Sequence, residues 1–125
     1  MSASPSAKLP SIVIDWEKLP AKRTAVGERR ELFDSPTATF SNLEGHVTTL
    51  NPGESPHPPH RHADEEMIIV KSGTVETMIT ERIQRIGAGS VCFLGANDFH
   101  GLRNPGPEPA TYFVLRFVTP RTAAS

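Results

Sequence analysis

The stretch Gly53-ESPHPPHRHADEEMIIVKS-Gly73 decides how the rest of the chain is read. It holds three of the five histidines, His57, His60 and His62. His60 and His62 are two apart, so on an extended chain their imidazoles point to one face. On a helix they would diverge by about 200°, and Pro58 and Pro59 directly upstream exclude a helix there. Glu66 shares their parity but lies about 13 Å further along a straight strand. It joins them only if the chain bends through Ala63, Asp64 and Glu65. Neutral imidazoles with a carboxylate are the donors a first-row divalent metal prefers. A His-x-His pair alone is a weak signal, and an isolated histidine such as His46 reads as an ordinary surface residue. His57 reads as part of a proline-stiffened loop or as support behind the ligands.

Working outward, Glu66–Lys71 and Thr74–Thr80 are β-rich runs separated by Ser72-Gly73, which reads as a hairpin or short turn. Ile83–Ile86 and Val91–Leu94 are shorter strands punctuated by Gly87-Ala88-Gly89 and by the polar Gly95–Asp98 turn. Thr111–Val118 is the most strand-like segment, fenced by Pro109 and Pro120. Upstream, Thr37–Leu50 carries Phe40, Leu43, Val47 and Leu50 before an Asn51-Pro52-Gly53 turn. Ser11–Trp16 reads as a first strand, and Pro20–Arg30 as a polar segment turning at Gly27. Strands thus recur about every 8–12 residues between Gly/Pro turns, the pattern of an all-β sandwich or barrel. No segment reads as a convincing helix. Residues 1–10 and 121–125 read as tails around a single domain spanning 11–120.

The chain has 125 residues, enough for one domain. Thirteen basic against fourteen acidic residues give a net charge of -1, which argues against nucleic acid or an acidic membrane as partner. The lone Cys92 rules out an internal disulfide framework and reads as a packed small residue. No apolar run is long enough to span a membrane, and no apolar segment follows the opening MSASPSAK, so a cytoplasmic location is expected.

The histidine stretch resembles the cupin family. Its first motif, G-x5-H-x-H-x3,4-E-x6-G, is matched by Gly53, His60, His62, Glu66 and Gly73, with six residues rather than five before His60. The second, G-x5-P-x-G-x2-H-x3-N, is matched at Gly89, His100 and Asn104, with Gly95 in place of the proline and Asn97 in place of the glycine. Asn tolerates positive φ, so that second departure is mild. The resemblance implies an all-β double-stranded β-helix, a jelly-roll barrel of the cupin type. It implies that His60, His62, Glu66 and His100 hold one divalent transition metal (Fe, Mn, Ni, Co or Zn). Glu65 competes with Glu66, and spacing to Gly73 favours Glu66.

Around that site, Asn104 is expected to brace a turn. Phe93, Phe99 and Leu102 are expected to form a dry wall beside His100. His57, Glu65, Phe99 and Asn104 are candidates for the surroundings of the ion. The loop Glu54–Pro59 and the turn Gly95–Phe99 are expected to frame its mouth. Along the last strand, Phe113, Leu115 and Phe117 alternate with Tyr112, Val114 and Arg116. Taking the first set as core turns Arg116 outward or against a partner chain; the opposite register makes it an anion anchor inside. A metal-dependent oxygenase, isomerase or lyase acting on a small organic molecule is the leading functional expectation. The alternatives are a small-molecule binding or sensing module and a structural cupin. A homodimer is expected, because the last strand is apolar on both faces, with the Ser11–Trp16 strand as the segment to cross onto a neighbour.

Overall fold

The computed structural model describes residues 7–123. After a single turn of 3-10 helix at Trp16–Lys18, nine strands follow: β1 (Lys22–Thr24), β2 (Gly27–Ser35), β3 (Asn42–Leu50), β4 (Glu65–Ser72), β5 (Val75–Ile79), β6 (Arg82–Ile86), β7 (Val91–Leu94), β8 (His100–Arg103) and β9 (Ala110–Val118). One helical turn, α1 (Pro120–Ala123), closes the described chain. The strands form a six-stranded sheet ordered β1-β2-β3-β9-β4-β7 and a three-stranded sheet ordered β6-β5-β8, antiparallel throughout. The all-β expectation holds. No described helix is long and apolar enough to cross a membrane.

The core lies between the sheets. Leu50, Ile68, Val70, Ala110, Tyr112 and Val114 of the large sheet meet Val75 of the small one, with Ile79, Ile86 and Leu102 packed alongside. Each fully buried aliphatic side chain contributes about 1.5–3 kcal/mol. Cys92 joins this cluster as expected, and burial pushes its thiol pKa up, leaving an unreactive packed group. On β9 the buried parity is Ala110, Tyr112 and Val114, the reverse of the expected core set. Phe113, Leu115 and Phe117 lie on the outer face, where Trp16 sits 6.1 Å from Phe113 and Phe40 5.5 Å from Phe117. Both faces of β9 are apolar, so alternation alone could not choose between them. Arg116 therefore turns inward.

Ser11–Trp16 is not a strand. Ile14, Trp16 and Leu19 instead line an apolar depression with Leu32, Phe33 and Phe113 on the outer sheet face. Arg30 and Lys71 each place a cation 4.5 Å from the Trp16 ring, which adds cation–π attraction to that packing. The expected polar segment Pro20–Arg30 is a β1–β2 hairpin turning at Ala25-Val26, not at Gly27. Gly27 pairs with Leu50 in β3, and a Cβ there would lie 1.9 Å from the Thr49 carbonyl oxygen. Of the expected N-terminal tail, residues 1–6 lie outside the described residues, while the Leu9 N–H donates to the Pro36 carbonyl at 2.8 Å. Residues 124 and 125 of the C-terminal tail likewise lie outside them.

Gly73 does not close a hairpin between its flanking strands. It carries the chain from β4 in one sheet to β5 in the other, with φ +79° and Pro109 and Ala110 so close that a Cβ would meet the Pro109 oxygen at 2.6 Å. Asn104 braces the far end of the fold and is completely buried. Its amide donates to the Leu50 and Glu108 carbonyls at 2.9 and 2.8 Å and accepts from the Gly106 N–H at 3.0 Å. Asn104→Ala strands two carbonyls and an N–H, so it should destabilise the fold by about 2–4 kcal/mol, read as a lower urea midpoint at unchanged slope.

Candidate metal centre

The Pro-rich loop after β3 returns to the sheets at His60, which forms a reciprocal bridge with His100 at the start of β8. His60 N–H donates to the His100 carbonyl and His100 N–H to the His60 carbonyl, both at 2.9 Å. Beyond His62 the chain bends at Ala63-Asp64, as the spacing required, and enters β4 at Glu65. The three imidazoles of His60, His62 and His100 then converge, with ring centroids 4.9–5.0 Å apart and planes near perpendicular at 78–82°. One nitrogen from each ring lies within 4.8 Å of the other two.

Hydrogen bonds set which nitrogen faces the centre. His62 Nδ1 donates to the Asp64 carbonyl at 2.8 Å, and His100 Nδ1 donates to the Asp98 carbonyl at 3.0 Å. A carbonyl only accepts, so in the neutral ring the lone pair is on Nε2. His62 Nε2 is buried, forms no hydrogen bond, and stands 3.0 Å from Glu66 Oε1. His60 is held neutral: burial first, then neighbouring His57, His100, His62 and Arg116, lower its pKa to about 4. In their neutral form, three imidazoles with a carboxylate at their edge fit one divalent transition ion. His100 is itself 3% exposed, so the centre is shielded on the β8 side.

The other expected residues divide. Glu66 follows the interior parity of Ile68 and Val70, whereas Glu65 is exposed and lines a separate surface depression with Phe40, Asn97 and Phe117. His57 stacks on His60 at 4.0 Å, with its Nδ1 donating to the Pro58 carbonyl. Leu102 lines the cavity beside the histidines. Phe93 does not: it is 53% exposed on the outer face of β7. Phe99 packs under the Arg61 guanidinium at 5.6 Å and is not among the cavity residues. The Gly95–Phe99 turn also misses the mouth. Its Asn97, in the left-handed region at φ 63°, donates its N–H to the His62 carbonyl at 2.8 Å and so holds the backbone of that residue.

The mouth is framed instead by Pro56 and His57 on one side and by a polar wall from β2, β3 and β9 on the other. Arg29, Glu44, His46, Thr48, Tyr112 and Arg116 form that wall in a cavity of about 260 Å³. His46 is no ordinary surface residue: its Nδ1 lies 2.8 Å from Glu44 Oε2, both side chains being largely buried. Burial pushes the Tyr112 phenol pKa up, and the Thr48 hydroxyl is its hydrogen-bond partner. The missed signal is a parity signal. Glu44, His46, Thr48 and Leu50 share one face of β3, while Leu43 and Val47 belong to the other.

The cupin domain profile matches residues 46–116, more than half of the chain. The chain belongs to the cupin family. Solved cupins share its fold at low identity. An RmlC-like cupin from Shewanella frigidimarina aligns over 89% of this chain and 94% of its own, with a TM-score of 0.71 and 16% identity. A protein described as a predicted oxalate decarboxylase from Thermotoga maritima aligns over 86% and 99%, with a TM-score of 0.70 and 17% identity. The polyketide cyclase RemF from Streptomyces resistomycificus aligns over 86% and 80%, with a TM-score of 0.69 and 19% identity. A search of the curated proteins returns no significant match.

The depressed His60 pKa carries a stability consequence. An unfolded histidine takes up a proton near 6.5, and folded His60 only near 4. The unfolded chain therefore binds more protons in that window, and stability falls as pH drops through it. The metal-free protein should lose urea resistance between about pH 6.5 and about pH 4, and His60→Gln should shrink that loss.

Proposed function

We propose that His60, His62, His100 and Glu66 hold one divalent transition-metal ion, and that this cupin is a metal-dependent enzyme acting on a small organic molecule by oxygenase, isomerase or lyase chemistry. The observation that carries the metal reading is the buried, unpartnered Nε2 of His62 beside the Glu66 carboxylate. Leaving such an atom without a partner costs about 1–3 kcal/mol, a cost that coordination removes. When bound, the ion supplies Lewis acidity to a ligand oxygen. The chain supplies the rest. The carbonyls of Asp64 and Asp98 orient two imidazoles, and the prolines of the rim hold His57 against His60.

The enzyme reading rests on the cavity wall. The hydrogen-bonded Glu44–His46 pair is an acid–base couple placed where a bound molecule would meet it. The neighbours in fold include proteins described as a decarboxylase, a cyclase and a sugar phosphate isomerase, so the fold does not choose the reaction. Protein purified without chelator should carry close to one transition-metal ion per chain by elemental analysis. The double change His60→Ala with His62→Ala should abolish uptake, and His46→Ala should leave it intact. Absence of metal in the wild type, before and after soaking, would refute the site.

We also propose that two copies pair through the outer face of β4 and β7. There Val91 and Phe93 are 58% and 53% exposed, opposite Ile69 and Met67 in register. An apolar sheet face of this kind calls for a cover. Light scattering should give twice 13.6 kDa at micromolar concentration, and Phe93→Glu should return it to the single-chain mass.

A further inference from the structure

The cavity beside the histidines is small and unusually ionic. At about 260 Å³ it lies below the roughly 300–1,000 Å³ that drug-sized ligands occupy. Four charged side chains reach it: Arg29, Glu44, Glu66 and Arg116. Charges removed from water are costly unless paired, so the pairing within this set shows what is left to offer a ligand.

The Glu44 carboxylate is engaged. Glu44 is met by His46 Nδ1 at 2.8 Å and by Arg29 at 3.6 Å, and Arg29 also binds Glu31 at 2.6 Å. Glu66 faces His62. Arg116 is engaged on one side only. In register it stands between Glu44 on β3 and Glu66 on β4, on the interior face of the sheet. Its Nε is buried and ion-paired with Asp64 Oδ2 at 3.1 Å without meeting hydrogen-bond geometry, while the side chain as a whole is 38% exposed. Its terminal nitrogens donate no hydrogen bond among the described residues. A planar guanidinium with free donors recognises a carboxylate by two parallel bonds, which an ammonium or a hydroxyl cannot do.

We propose that the ligand of this cavity is a small organic acid whose carboxylate is held by Arg116 while the rest of the molecule faces the histidines. The proposal rests on the metal reading only for what the ligand's other end meets. The anion preference comes from Arg116 itself. Asp64 meets Arg116 only on its Nε side, so the terminal nitrogens of the guanidinium are left to select an acceptor-rich anion over a neutral molecule of the same shape. The Thr48 and Tyr112 hydroxyls on the same wall add polar partners for the oxygens of such a molecule. Arg116 thereby determines specificity.

The test uses pyruvate and diacetyl, two vicinal dicarbonyls of equal heavy-atom count that differ in charge. Calorimetric titration of the manganese-loaded protein should show pyruvate binding about tenfold or more tighter than diacetyl, the scale of a charge-assisted hydrogen bond. Arg116→Gln should remove that preference at unchanged metal content, measured on the same samples. Equal affinities in the wild type, or a preference that survives Arg116→Gln, would overturn the proposal. Should the variant shed its ion because Asp64 is no longer pinned, the comparison is made between metal-free wild type and variant. There, too, an Arg116-dependent preference supports the proposal, and none refutes it. Wild type that takes up no metal yet prefers pyruvate through Arg116 would refute the metal reading and leave the acid site standing.

Discussion

The reciprocal backbone bridge between His60 and His100 is the constraint on which the rest of the site depends. Two hydrogen bonds of 2.9 Å join a loop that follows β3 to a four-residue strand in the other sheet. They bring together residues 40 positions apart. Without that bridge, the two sheets would share an apolar core but no chemistry. The hydrogen bonds from the Asp64 and Asp98 carbonyls then act locally, each orienting one ring within two residues of its own backbone.

The large sheet serves two solvents. Its inner face is apolar toward Leu50, Ile68 and Tyr112 and becomes ionic toward Glu44, Arg116 and Glu66 at the histidine end. A row of three charged residues across β3, β9 and β4 is tolerable because cation alternates with carboxylate in register. Its outer face is apolar over most of β9, and Trp16 and Phe40 cover part of it from segments that are not strands. The N-terminal segment thus protects the same sheet whose other face carries the site. It does so by side-chain packing and not by strand pairing.

Proline and asparagine do the positioning that helices do in other folds. Pro56, Pro58 and Pro59 restrict the rim, which lowers the entropy lost when His57 stacks on His60. Asn97 adopts a left-handed conformation to deliver its N–H to His62, and Asn104 satisfies two carbonyls and an N–H where water is excluded. Both asparagines act on backbone, Asn97 at His62 and Asn104 at Leu50, Gly106 and Glu108.

What the sequence by itself determined was local and periodic. The His-x-His spacing, the prolines beside it, the bend at Ala63-Asp64 and the long strand before Pro120 were all legible, because neighbouring residues and steric rules alone set them. The tri-histidine set followed from motif spacing, and the bracing role of Asn104 with it. Tertiary structure decided the rest. β9 is apolar on both faces, so only packing against Trp16 and Phe40 outside and Ile68 inside chose its parity and turned Arg116 inward. β8 is too short to show alternation and exists because β5 and His60 pair with it. His46 and Glu44 look like surface residues in one dimension; they become a cavity wall because a sheet brings three strands' worth of alternate side chains onto one face. That gathering is a long-range event, and no window of the sequence contains it.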